Sequence, residues 1–227
     1  MQNAPENPPR KPIVCYVTDG KALGAGDRAA NLLARIRTAA EAGADWVQIR
    51  EKDLCARELL AVAREAGRVG SEASAGKARV IVNDRLDVAL AAGAAGVHLG
   101  GESLPTRDAV RWCRSGNAPA DFLIGVSCHS VEQAREAESA GANYVFFGPV
   151  FDTPSKRAFG PPLGTAKLAE ACGAVGIPVI AIGGINMENA AECLRAGAAG
   201  IAAIRLFQEP GKSADLQSAI GRLHHPG

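Results

Sequence analysis

One signature recurs four times in this chain, as EAGADWV, AAGAAGV, SAGANYV and RAGAAGI. Each copy places a glycine (Gly43, Gly93, Gly141, Gly197) after a helical Ala/Leu/Glu/Arg stretch and before a short apolar run. A glycine there can take the left-handed conformation that ends a helix. The copies are 50, 48 and 56 residues apart. At about 25 residues per βα unit, each interval holds two units.

The rest of the chain agrees. β-rich runs are predicted at 13–18, 46–51, 79–84, 96–101, 122–128, 144–150, 178–184 and 200–207. Most are apolar throughout, as strands buried on both faces should be. Helical spacing is predicted at 27–42, 55–72, 104–114, 130–140, 164–174, 186–196 and 212–223, with a short helix at 85–93. Ser130 stands where an N-cap is expected. Eight alternating units predict an α/β fold, a single-domain (β/α)8 barrel over 12–225. The rival is an open doubly wound sheet, which the count of eight and the lack of a GxGxxG turn disfavour. Residues 1–11, with three prolines, read as a flexible tail.

Composition removes several classes of function. Net charge is +1 and aromatics are 4 %. Neither a broad basic grip on nucleic acid nor a base-stacking surface is expected. No apolar run approaches the roughly 20 residues of a membrane span. The N-terminus lacks the apolar core of a signal peptide. The six cysteines form no CxxC pair, so a reducing cytoplasm is the expected location.

In such a barrel the chemistry belongs at the C-terminal strand ends. Strand 2 ends Gln48-Ile49-Arg50-Glu51-Lys52, and alternation sends Gln48, Arg50 and Lys52 to one side. Two cations and an amide suit a phosphate or pyrophosphate; the rival reading is a salt-bridge cluster with Glu51 and Asp53. Strand 3 ends Asn83-Asp84, which suits Mg²⁺ shared with substrate phosphates, or else a helix N-cap at Asp84. His98, in mid-strand, reads as a satisfied core histidine, with Glu102 or Ser103 facing the site beyond it. Strand 5 ends Ser127-Cys128-His129, where His129 can serve as acid or base near neutral pH. A long irregular stretch follows strand 6 and carries Thr153, Ser155 and Lys156, suited to an anion or a substrate cover. Gly183 and Gly184 after strand 7 can bring bare backbone N–H groups to a phosphate, and Arg205 at the end of strand 8 is a further phosphate ligand.

The segments VQIREKD, VNDRLDVALAAGAAGVHLG, IGVSCHS, GANYVFFGPVFDTPSK and PVIAIGGI together resemble the thiamine phosphate synthase/TenI family, in order over 13–207. The resemblance implies one of two chemistries. A synthase joins hydroxymethylpyrimidine pyrophosphate to a thiazole phosphate, releases pyrophosphate and uses Mg²⁺. It would take Gln48, Arg50, Lys52, Asn83 and Lys156 as pyrimidine-pyrophosphate ligands and Asp84 as metal ligand. Ser127, Thr153, Ser155, Gly183, Gly184 and Arg205 would complete substrate binding. A TenI-type tautomerase isomerises the thiazole phosphate without metal, with His129 as acid/base. QIREK and ND resemble the synthases; SCHS and TPSK followed by PPLG resemble TenI. The synthases carry an aspartate where this chain has Ser103, and commonly a serine at Arg205. A pocket that kept its ligand and lost its chemistry, as in a regulator, is a third reading. Self-association into a homo-oligomer is an expectation from the family alone.

Overall fold

The computed structural model describes residues 11–153, 161–208 and 213–224. Eight parallel strands, β1 Ile13–Val17, β2 Trp46–Ile49, β3 Arg79–Asn83, β4 Gly96–Leu99, β5 Leu123–Cys128, β6 Tyr144–Phe147, β7 Val179–Ile182 and β8 Gly200–Ala203, close in chain order into a barrel. Closure is made by β8 against β1, with Val14 opposite Ile201 and Tyr16 opposite Ala203. An open sheet is thereby excluded.

The helices are α1 Arg28–Glu41, α2 Ala56–Ser74, α3 Leu86–Ala91, α4 Thr106–Trp112, α5 Val131–Ser139, α6 Gly164–Ala174, α7 Ala190–Arg195, α8 Arg205–Gln208 and α9 Ser213–His224. The four recurring glycines end α1, α3, α5 and α7, with φ of +100°, +66°, +93° and +97°. Each is followed by an alanine whose N–H reaches five residues back, as in Ala44 to Ala39 and Ala142 to Ala137. This is the Schellman closure, repeated four times.

Side chains alternate along each strand. One set, including Val47, Val82, Val97, Val145 and Ala181, packs the sheet against helix residues such as Leu32 and Ile36. The other set, Cys15, Val17, Trp46, Ile81, Tyr144, Phe146, Ile180 and Ala202, fills the lumen. The lumen is a packed core whose open end carries polar residues.

Some boundaries differ from expectation. The helix expected from 186 begins at Ala190, because the Asn186 side chain first accepts from the Glu188 and Asn189 amides in a turn. The helix expected over 104–114 stops at Trp112, and Cys113–Asn117 forms a wider turn containing Gly116 at φ +88°. Strand 8 was expected to run to 207 and ends at Ala203. Of the expected tail, 1–10 lie outside the described residues, and Lys11 Nζ is paired with Asp45 at 2.8 Å.

Candidate active site

A connected set of polar groups crosses the C-terminal ends of β2, β3 and β4. Gln48 is 2 % exposed. Its Nε2 donates to Asn83 Oδ1 at 2.8 Å, and Asn83 Nδ2 donates to Asp84 Oδ2 at 2.7 Å. Asp84 Oδ1 accepts from the Gly100 amide at 3.3 Å and from the Ser103 hydroxyl. The Gly100 amide also lies 2.7 Å from Ser103 Oγ. The capping alternative for Asp84 fails. Its carboxylate bonds to Asn83, Gly100 and Ser103, and the N-cap of α3 is Arg85, which makes no side-chain cap. Asp84 has φ +62°, a left-handed backbone that aspartate tolerates better than most residues. Gln48 Oε1 is buried without a partner among the described residues. Left so, it carries the cost of a buried acceptor without a hydrogen bond.

Beyond Gln48, strand geometry ends at Ile49, so alternation does not govern Arg50 and Lys52. Arg50 is half-buried and Lys52 exposed. The salt-bridge alternative also fails, because Arg28 takes the carboxylates instead. Arg28 lies 2.5 Å from Glu51 Oε2 and 2.6 Å from Asp53 Oδ2. That guanidinium holds the Asp53 carboxyl well below the usual carboxylate range. Glu51, 4 % exposed, further accepts from Thr18 Oγ1 at 2.6 Å and from the Gly20 amide at 3.0 Å. Thr18 Oγ1 in turn accepts from the Arg50 amide at 2.9 Å. The acids thus brace the turn, and no ion pair engages Arg50 or Lys52 among the described residues.

This bracing was missed in the sequence. Its signals were Thr18 at the end of strand 1 and an acid set between two cations, for which the only partners considered were those neighbouring cations.

His98 is a satisfied core residue, as expected. Its ring nitrogens lie 3.1 Å from Tyr144 Oη and 2.9 Å from Ser127 Oγ. Burial pulls its pKa down to about 3, opposed by Asp84 and assisted by Arg50. The imidazole is therefore neutral at physiological pH. Cys128 is buried, with its thiol pushed up to about 12, and serves packing. His129 is exposed, and its Nδ1 is hydrogen-bonded to the Gly148 carbonyl. That contact leaves Nε2 as the ring position open to a substrate.

Of the two candidates beside Asp84, Ser103 touches its carboxylate, whereas Glu102 lies exposed on the turn. Thr153 is half-buried; Ser155 and Lys156 lie outside the described residues.

Across the barrel, Phe151 N–H donates to Gly183 O at 3.0 Å, so the segment after β6 runs beside the end of β7. A Cβ on Gly184 would come within 2.6 Å of Asp152 O, and its φ is +68°. The bare backbone is therefore required at Gly184. Arg205 departs from its expected place. It is exposed and opens α8, because Leu206 and Phe207 turn inward as one helical turn and not as strand. Phe207 packs on Tyr16 at 5.0 Å, and Gln208 Nε2 donates to Tyr16 Oη at 2.8 Å.

Comparison with known proteins matches the chain over residues 14–207 to the family model described as thiamine monophosphate synthase. A thiamine-phosphate synthase of Methanoculleus marisnigri is 46 % identical over 83 % of this chain and 84 % of its own length. That of Chlorobium phaeobacteroides is 39 % identical over 95 % of this chain and 97 % of its own. Among solved structures, a thiamine phosphate pyrophosphorylase from Pyrococcus furiosus superposes with a TM-score of 0.78 at 32 % identity, covering 94 % of this chain and 97 % of that one.

Proposed function

The chain belongs to the thiamine monophosphate synthase family, and from that premise we propose that it is a thiamine-phosphate synthase, a transferase of thiamine biosynthesis. It joins hydroxymethylpyrimidine pyrophosphate to thiazole phosphate and releases pyrophosphate. The C–O bond to pyrophosphate breaks with its electron pair leaving on oxygen. The thiazole nitrogen lone pair then closes the new C–N bond on the pyrimidine methylene.

The observation that carries this reading is the linked set Gln48, Asn83, Asp84 and Ser103 beside the uncompensated Arg50. A departing pyrophosphate concentrates negative charge, and fixed cations and donors there lower the barrier. Arg50 and Lys52 are two such cations, and Lys156 is a third by its place in the family pattern. Gln48 and Asn83, hydrogen-bonded to each other, bind the pyrimidine substrate. The backbone at Gly183 and Gly184 would approach the thiazole phosphate, and the family pattern adds Arg205, Thr153 and Ser155 to its binding. A metal-free proton transfer at His129 has no use for the Gln48 to Ser103 set, which ranks the tautomerase second.

The residues present fit Mg²⁺ in a substrate-completed site. The described residues hold no cluster of three or more acidic, histidine or cysteine ligands. Asp84 and Ser103 are adjacent hard oxygens, and Mg²⁺ takes one or two carboxylates together with substrate phosphates and water. Asp84 and Ser103 would hold the ion, which when bound would neutralise the leaving pyrophosphate.

Incubation with both substrates and Mg²⁺ tests the proposal. Thiamine phosphate should form and should vanish in Lys156→Ala and in Asp84→Ala. No product, with thiazole isomerisation that requires His129, would replace it by the tautomerase. Ligand binding with neither turnover would leave a regulator. No described helix is long and apolar enough to cross a membrane.

A further inference from the structure

Three polar side chains lie in line across the barrel lumen. His98 on β4 is opposite Gly125 on β5, and Gly125 is opposite Tyr144 on β6. A Cβ at Gly125 would fall 2.0 Å from Tyr144 Cζ. The missing side chain is what lets the phenol lie over β5 and reach His98 Nδ1. On the other side of the imidazole, Nε2 meets Ser127 Oγ. His98 and Tyr144 are each 1 % exposed, and Phe146 covers the imidazole at 4.2 Å between ring centres.

Donor accounting assigns the hydrogens. A neutral imidazole has one donor nitrogen and one acceptor nitrogen. Burial keeps His98 neutral and the Tyr144 phenol protonated. The Tyr144 hydroxyl has one hydrogen-bond partner among the described residues, His98 Nδ1. Were Nδ1 the protonated nitrogen, the phenol hydrogen would be buried with no acceptor, a costly arrangement. Tyr144 therefore donates to Nδ1, and Nε2–H donates to Ser127 Oγ. The hydroxyl hydrogen of Ser127 is left pointing away from His98. Ser127 is half-buried and its hydrogen is free for whatever fills the cup.

We propose that Tyr144 and His98 form a buried relay that fixes Ser127 as a hydrogen-bond donor to an acceptor atom of the bound pyrimidine substrate. His98 and Tyr144 are then positioning residues, acting through Ser127. The choice of the pyrimidine rests on the synthase reading, because His98 stands between Ser127 and Asn83, its register partner on β3. The hydrogen assignment itself does not rest on that reading.

Imidazole ¹⁵N spectra of the labelled, substrate-free protein test the assignment. His98 should be the neutral Nε2–H tautomer, and Tyr144→Phe, which keeps the ring, should give a mixture. An Nδ1–H tautomer in the native protein would overturn the relay. In the product assay, Tyr144→Phe should raise KM for the pyrimidine pyrophosphate about tenfold and leave KM for thiazole phosphate unchanged. Added to Ser127→Ala, it should cost less than about twofold more, since coupled residues are not additive. An equal cost with and without the Ser127 hydroxyl would mean that Tyr144 acts through packing, and the proposal would fall. A native protein that holds the Nε2–H tautomer but makes no product would support the relay and refute the synthase reading.

Discussion

Ser103 Oγ is hydrogen-bonded to Asp84 Oδ1, and both groups share the Gly100 amide. The hydroxyl therefore occupies the side of Asp84 where a second carboxylate would otherwise complete a divalent-cation site. A neutral oxygen binds Mg²⁺ more weakly than an anionic one. Ser103→Asp should lower the Mg²⁺ concentration for half-maximal product formation by about tenfold or more. An unchanged Mg²⁺ titration would place the ion elsewhere.

Glu51 joins β1, β2 and α1 through Thr18, Gly20 and Arg28. Removing this carboxylate leaves the buried Thr18 hydroxyl and the Gly20 amide without their acceptor and Arg28 with Asp53 alone. Glu51→Ala should lose about 3 kcal/mol of stability, read from the urea midpoint. The same variant should raise KM for the pyrimidine pyrophosphate, because Thr18 no longer fixes the Arg50 amide.

His98 titrates near 3 when folded and near 6.5 when unfolded. Between those values the unfolded chain binds the extra proton, so stability rises with pH across the window and falls on acidification through it. The full contribution is present above about pH 6.5. One proton accounts for a slope of up to about 1.4 kcal/mol per pH unit. Asp84 and Arg50, the charges felt at the ring, oppose one another. His98→Gln should flatten the denaturation profile between pH 4 and 6 relative to the native protein.

Gly184 combines φ +68° with a backbone oxygen 2.6 Å from the position of a Cβ. Gly184→Ala should push the Asp152 segment outward and cost about 1–3 kcal/mol. Its kinetic signature should be a raised KM for thiazole phosphate with little change for the pyrimidine substrate. Equal effects on both would argue against a phosphate at this turn.

The strands and the glycine-ended helices were legible because periodicity and left-handed closures are local properties of a chain. Gln48, Asn83 and Asp84 were legible for a related reason, since polar residues at the ends of apolar strands stand out. Two things were not legible. Arg28 claims Glu51 and Asp53 from 23 and 25 residues away, and nothing in Gln48-Ile49-Arg50-Glu51-Lys52 announces that partner. The apolar run Gly200 to Phe207 reads equally as a longer strand or as a strand and one inward-facing helical turn. Only the packing of Phe207 on Tyr16 decides between them.

The four Schellman closures all lie where helices hand over to strands, at the base, whereas Asp84, Ser103 and Ser127 lie at the opposite mouth. Foundations and workshop are thus housed on different floors. A substitution at Ser103 therefore touches none of the four glycine-ended helices.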